Sequence, residues 1–197
     1  MARRADHTRE ELKDLAIKAG LELIKKEGLA GFSARKVAAK IGYTVGTIYN
    51  VFGSYDDLIL CINAVTLDEW YAFMQAALTR KKANPLRALA LAYIEFSRSR
   101  YQQWLTLFEY HLTDERNLPD WYVPKMTRFF DLVEEHLLPA LGGNRRKATR
   151  AGHVLWSGIH GICVLSHSGK LSLVKADEPE TLALSFIDIF LAGLTKD

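Results

Sequence analysis

The chain has 197 residues, of which 49% are hydrophobic and 25% charged, with a formal net charge of +3, which is enough apolar material for one or two compact domains. No stretch reaches the roughly 20 uninterrupted apolar residues of a membrane span, because the most apolar run, Val154 to Ser166, is broken by His160 and by Gly158 and Gly161. Two cysteines, Cys61 and Cys163, suit a reducing compartment, so a soluble, cytoplasmic protein with no membrane partner is expected.

Residues 1–55 hold ten Lys or Arg against six Asp or Glu, so the positive charge is concentrated at the N-terminal end of the chain. A basic module on a near-neutral body fits phosphate binding. Arg3 and Arg4 precede any helix signal and fit an arm that reaches phosphates or a minor groove. No apolar run follows them, so a secretory signal is not expected. Thr8-Arg9-Glu10-Glu11 has the form of a capping box, and Leu12, Leu15, Ala16, Ala19 and Leu23 follow at helical spacing up to Gly28.

Ser33 is placed to cap a short helix with Val37, Ala38 and Ile41 on its inner face. Gly42 stands where that helix must stop and the chain must turn. Thr44 then caps a second short helix with Ile48, and Phe52 just beyond, facing inward. That leaves Tyr43, Val45, Gly46, Thr47 and Tyr49 outside. This is the layout of a helix-turn-helix, whose second helix can enter a major groove with its first residues against base edges. Ser54 with Asp57 marks the start of a further helix running toward Arg80.

Gly28, Phe32-Ser33, Val37-Ala38, the run Ile41 to Tyr49, Phe52-Gly53-Ser54 and Leu58 together resemble the N-terminal domain of the TetR family of bacterial transcriptional regulators. The likeness covers residues 8–60. It implies a homodimer that binds double-stranded operator DNA, with a C-terminal domain that binds a small-molecule effector. Carried over residue by residue, it makes Ser33, Arg35, Thr44, Thr47 and Tyr49 phosphate or base contacts, with Tyr43, Val45 and Gly46 at the DNA face. Two positions depart from the family pattern. Val51 stands where a His is common and Tyr55 where a Lys is common, so two phosphate contacts are missing, and Arg3, Arg4, Lys36 and Lys40 are the candidates to replace them.

From Asn84 onward the pattern is helical throughout. Asn84-Pro85 opens one helix, with Leu86, Leu89, Ala90, Tyr93 and Phe96 on a face. A further helix runs from Tyr101 to Leu112 with Trp104, Leu105, Leu107 and Phe108. The next begins near Pro119 and Pro124 and runs to about Leu138. Asn144 caps a long helix to about Ser168, and Asp177 with Glu180 forms a cap before Leu182 to Leu194. The predicted fold is all-α, with a three-helix DNA-binding domain over 1–54 and a helical ligand-binding and dimerisation domain over 55–197.

The last helix is apolar on two stripes, Leu182, Phe186, Ile189 and Phe190 beside Ala183, Ile187, Leu191 and Leu194, and so must bury two faces. A homodimer through the last two helices satisfies this. His153, Trp156, His160, Cys163 and His167 form one stripe on the preceding helix. Consecutive His there stand about 10.5 Å apart at ~1.5 Å rise per residue, too far to share an ion. That leaves His160 with Cys163 as the one pair able to do so, and neither a metal nor a cofactor is expected. The stripe reads either as packing in the interior or the dimer seam or as a small-molecule pocket, and its Trp156…His160-Gly161 resembles a mark of one TetR subgroup.

The candidate effector residues are Tyr93, Phe96, Trp104, Phe108, His111, Phe130, Trp156 and His160, with Glu95 and Glu109 beside them as partners for a cationic ligand. A ligand-responsive repressor on a near-palindromic operator is the leading function. An enzyme using His160 and Cys163 is one alternative, although no phosphate loop, zinc motif or nucleophile setting is present. A sequence-independent DNA binder is the other.

Overall fold

The structure is a computed structural model that describes residues 7–80, 84–112 and 118–194. The described residues form α-helices and no strand: α1 (Arg9–Gly31), α2 (Ala34–Ile41), α3 (Val45–Phe52), α4 (Tyr55–Arg80), α5 (Pro85–Ser99), α6 (Tyr101–Glu109), α7 (Val123–Leu137), α8 (Arg145–His167), α9 (Lys170–Leu173) and α10 (Pro179–Leu194), with a 3-10 turn at Pro139–Leu141. None of them is long and apolar enough to cross a membrane.

Local chemistry sets most of the boundaries. The Thr8 hydroxyl accepts the Glu11 N–H at 3.2 Å while the Glu11 carboxylate accepts the Thr8 N–H at 2.7 Å, a complete capping box. Asn84 and Asn144 cap α5 and α8 through Arg87 N–H and Lys147 N–H, at 3.2 and 3.1 Å. The last helix begins differently from the sequence reading. The Leu182 N–H bonds to the Glu178 carbonyl at 3.1 Å, so Glu178 holds the cap position and Pro179 the first helical one. Proline is pre-set for that place and gives up no needed donor, which moves the cap off Asp177. The short α9 escaped the sequence reading.

The chain divides into two compact units, residues 1–67 with 100–122, and residues 68–99 with 123–197. This geometric division differs from a partition at residue 54, because α4 contributes to both units and α6 packs on α1.

In the first unit α1, α2, α3 and the start of α4 share a core of Ala16, Ala19, Ile24, Phe32, Val37, Ala38, Ile48, Leu58, Ile59 and Ile62. Leu15 and Leu23, expected on the inner face of α1, are half-buried, and Gly20, Leu21 and Ile24 complete it instead. Trp104 of α6 is buried in this unit and tilts against Phe108. The buried Gln103 amide donates to Thr66 Oγ1 at 3.5 Å.

The second unit is built on α5, buried around most of its circumference among α7, α8 and α10. Trp70 stacks on Phe96 (5.3 Å, 12°) and meets the rings of Tyr93 and Phe129. Ion pairs Arg87–Asp188 and Arg98–Glu180 join α5 to α10. Lys125 and Arg128 of α7 converge on Asp68 and hold its carboxyl below the usual range against the opposing effect of burial.

Candidate nucleic-acid interface and effector site

The turn between α2 and α3 is built from its backbone needs. Gly42 sits at φ 77°, in the left-handed region that a side chain disfavours. Its N–H bonds to the Ala39 carbonyl and that of Tyr43 to the Ala38 carbonyl at 2.9 Å, which satisfies two orphan carbonyls of α2 in a Schellman arrangement. Ser33 Oγ accepts the Lys36 N–H, and Thr44 Oγ1 accepts the Thr47 N–H, both at 3.2 Å. The two caps predicted from Ser33 and Thr44 are thus formed.

Ile48 anchors α3 at 1% exposure. Thr44, Gly46 and Tyr49 are exposed. Tyr43, Val45 and Thr47 are half-buried, a departure from the outward set read from sequence. Val45 packs on the core, the Tyr43 hydroxyl bonds His7 Nδ1 at 2.8 Å, and the Thr44 and Thr47 hydroxyls bond each other at 2.9 Å. A helix of eight residues must spend its first turn on anchorage as well as on display. Asn50 is exposed beside Tyr49 and was missed. Its spacing of four from Gly46 places it on the same face, which is the signal that finds it.

Arg35 is exposed at the start of α2. Lys36 and Lys40, candidates to replace the missing cations, are engaged with α1: Lys36 Nζ meets Glu27 at 2.7 Å and the Gly31 carbonyl at 2.6 Å, and Lys40 pairs with Glu22 at 3.1 Å. Arg3 and Arg4 lie outside the described residues. Tyr55 turns inward, its ring between Phe32 and Tyr110 (5.9 and 6.3 Å), and burial pushes its hydroxyl pKa up. The neighbouring Asp56 carboxylate is buried and accepts the Tyr110 hydroxyl.

Of the candidate effector residues, the structure brings Tyr93, Phe130, Trp156 and His160 together in the second unit. The Tyr93 hydroxyl and His160 Nδ1 share a hydrogen bond of 2.9 Å. Trp156 stacks on His160 (5.7 Å, 27°), and Phe130 sets its edge against Trp156 and His153. Phe96 joins them through Trp70. Trp104, Phe108 and His111 belong to the first unit and do not join this cluster. Glu95, Glu109 and His111 are exposed, so neither carboxylate is turned in among the buried aromatic rings.

Beside this cluster, Ser97 Oγ donates to the Ile94 carbonyl at 2.8 Å and lies 3.5 Å from Cys163 Sγ and 3.1 Å from His167 Nε2. His160 Nδ1 is thus bonded to the Tyr93 hydroxyl, and Cys163 Sγ lies against Ser97. Burial pushes the Cys163 thiol up to about 11, away from the thiolate form in which a free cysteine is nucleophilic. Among the described residues no three His, Cys, Asp or Glu gather as a metal-ligand set.

Burial lowers the pKa of both His160 and His167, with Arg98 adding to the effect at His167. Burial therefore favours the neutral ring at both positions in the folded state. Between the lowered folded pKa and the ordinary unfolded value of about 6.5, the unfolded chain binds more protons, so stability rises with pH across that window and is lost as pH falls through it. Thermal midpoints measured between about pH 5 and 7.5 should fall on acidification, and His160→Gln should flatten the fall. An unchanged slope in that variant would remove His160 from the explanation.

Two family models match the chain. Residues 16–62 match the model of bacterial regulatory proteins of the tetR family, and residues 86–190 match the tetracyclin repressor-like C-terminal domain. No curated protein matches significantly. Among solved structures, a protein with unknown function from Rhodococcus sp. RHA1 is similar over 99% of this chain and 100% of its own, at 18% identity and a TM-score of 0.77. A TetR transcriptional regulator from the same organism is similar over 93% and 98%, at 17% identity and a TM-score of 0.62. The multidrug binding protein EbrR complexed with malachite green is similar over 90% and 96%, at 20% identity and a TM-score of 0.56. These likenesses show the fold. The C-terminal model alone spans more than half of the chain, the reading motif precedes it with its caps and turn in place, and the protein is accordingly a DNA-binding transcription regulator of the TetR family.

Proposed function

We propose that the protein is a cytoplasmic, ligand-responsive repressor that binds a near-palindromic operator as a homodimer, with residues 1–54 reading DNA and 55–197 binding effector and partner subunit. The observation that carries the DNA reading is the capped, outward face of α3, where Thr44, Gly46, Tyr49 and Asn50 are exposed around a helix start. Gly46 has no side chain to hold a base edge away, and Ser33, Arg35, Tyr43, Val45 and Thr47 flank the same surface. Arg3 and Arg4 are proposed as further phosphate contacts.

The dimer is supported by the adjacent helices α8 and α10. Val154, Val164, Leu165 and Ile189 are exposed on them, Ile189 at 74%. Large apolar side chains displayed together on two packed helices mark an association surface. A homodimer carries two copies of α3 to meet half-sites about 34–36 Å apart, or a multiple of that. Effector binding beside Tyr93, Phe96, Phe130, Trp156 and His160 acts by changing that separation, since spacing is what the operator tests. The aromatic lining and the dye-bound neighbour favour a planar organic effector over a metal ion.

Selection of duplexes from a random library, followed by footprinting, is expected to yield a protected sequence with two inverted half-sites. Thermal-shift screening with planar aromatic compounds should raise the unfolding midpoint and release the selected duplex. Equal affinity for selected and random DNA at physiological salt would sink the operator reading in favour of sequence-independent binding.

A further inference from the structure

Between Lys40 and Arg80 the sequence contains no Lys, Arg or His. The reading helix α3, the turn before it and the whole of α4 up to its last residue therefore carry no cation. DNA binding draws most of its affinity from neutralised phosphates, so the charge beside α3 must come from elsewhere in the fold. Lys36 and Lys40 are already matched by Glu27 and Glu22. Val51 and the inward Tyr55 supply none.

The start of α1 and the residue before its cap lie beside α3. His7 meets Tyr43 at the turn into α3, and Arg9 Nη2 donates to the Val51 carbonyl at 3.1 Å in the last turn of the same helix. That carbonyl is one of the last four of α3, which have no partner within their own helix. Arg9 is exposed, and among the described residues no carboxylate lies within ion-pair distance of it. A guanidinium carries five donors in a rigid fork, so one bond to Val51 fixes its place and leaves the others for a phosphate.

We infer that Arg9 is a phosphate-binding residue of the reading head, lending from α1 the positive charge that α3 and the start of α4 lack. The inference rests on the proposed operator reading. The carbonyl anchor holds the fork at the C-terminal end of α3, the end opposite Thr44. The outer face of α3 is thus flanked by His7, just ahead of α1, at one end and by Arg9 at the other, and Arg9 sets how firmly the C-terminal end is gripped.

The test uses full-length protein and a duplex enriched from a random library by the wild type, with affinity measured from about 50 to 200 mM salt. Each phosphate contact contributes about 0.9 to the slope of log affinity against log salt, so Arg9→Gln in both subunits should make it shallower by about 1.8. The wild type should then lose about tenfold more affinity than the variant across that range. Arg9→Lys should restore the slope, and Lys36→Gln should leave it unchanged. A lowered thermal midpoint with an unchanged salt slope would mean that Arg9 is only a structural tether, and would overturn the assignment. If the wild type enriches no duplex, the operator reading fails and the assignment falls with it. A shared slope in wild type and Arg9→Gln on an enriched duplex defeats the assignment alone.

Discussion

Replacing Trp70 by Ala should lower the unfolding free energy of the second unit by about 3–5 kcal/mol, the range seen when a buried Trp or Phe is truncated. Trp70 is 4% exposed and its indole touches the rings of Tyr93, Phe96 and Phe129. Two helices, α5 and α7, therefore lose their contact with this α4 side chain. Rings packed at such density cannot collapse into the vacated space without leaving their rotamers. Against a typical total of about 5–15 kcal/mol the loss is large. Urea midpoints at fixed slope measure it, and Trp70→Phe should recover part of it. The vacancy would open beside Tyr93, so the Tyr93–His160 bond should loosen, and indole added to the variant should raise its midpoint by filling the space. A loss under about 1 kcal/mol would show that Trp70 is not the keystone of this packing.

The second large effect is expected at Gly158. A Cβ placed there would overlap the ring of Phe186 on α10, so α8 and α10 approach as closely as they do because position 158 has no side chain. Gly158→Val must part the helices or swing the ring, at a cost of about 1–3 kcal/mol in overpacking strain. The same displacement distorts the apolar face proposed for the partner subunit, so sedimentation should show monomer at concentrations where the wild type is dimeric. Gly161→Ala is the informative companion, because nothing lies within 4 Å of a Cβ at that position within the chain. Within one subunit it should stabilise the helix by about 0.8–1.0 kcal/mol through propensity alone. If Gly161 faces the second subunit, the same change weakens the dimer while raising the stability of the monomer. A dimer that survives Gly158→Val unchanged would place the interface elsewhere.

Most boundaries in residues 8–60 are legible in the sequence because their instructions are local, although α1 continues past a kink at Gly28 to Gly31. Thr8 with Glu11, Ser33, Thr44 and Ser54 are caps whose partners lie three residues ahead, and Gly42 is a turn whose need is its own φ. Asn84 and Asn144 opened α5 and α8 for the same reason. Where a cap competed with a proline the reading failed, as at Asp177, since the fixed φ of Pro179 outranked an available carboxylate. The outward face of α3 was only partly legible. Periodicity assigns a direction to each side chain but does not say which exposed group a neighbour will claim, and His7 claimed Tyr43 while the core claimed Val45.

The aromatic residues show the limit most clearly. Tyr93, Trp104, Phe108, Phe130, Trp156 and His160 look alike in sequence, each an aromatic at helical spacing. Their division between two units follows from α6 packing on α1, a contact between residues far apart in the chain. The sequence by itself determined the longer helices, most of their caps and the turn at Gly42, which depend on neighbours within one or two turns, and it shows directly that no cation lies between Lys40 and Arg80. Only the tertiary structure decided that Tyr55 turns inward against Tyr110, that Lys36 and Lys40 are matched by α1, and that Arg9 reaches Val51. Those outcomes depend on which helix faces lie within a few ångströms of one another, and no periodicity within a single helix carries that information.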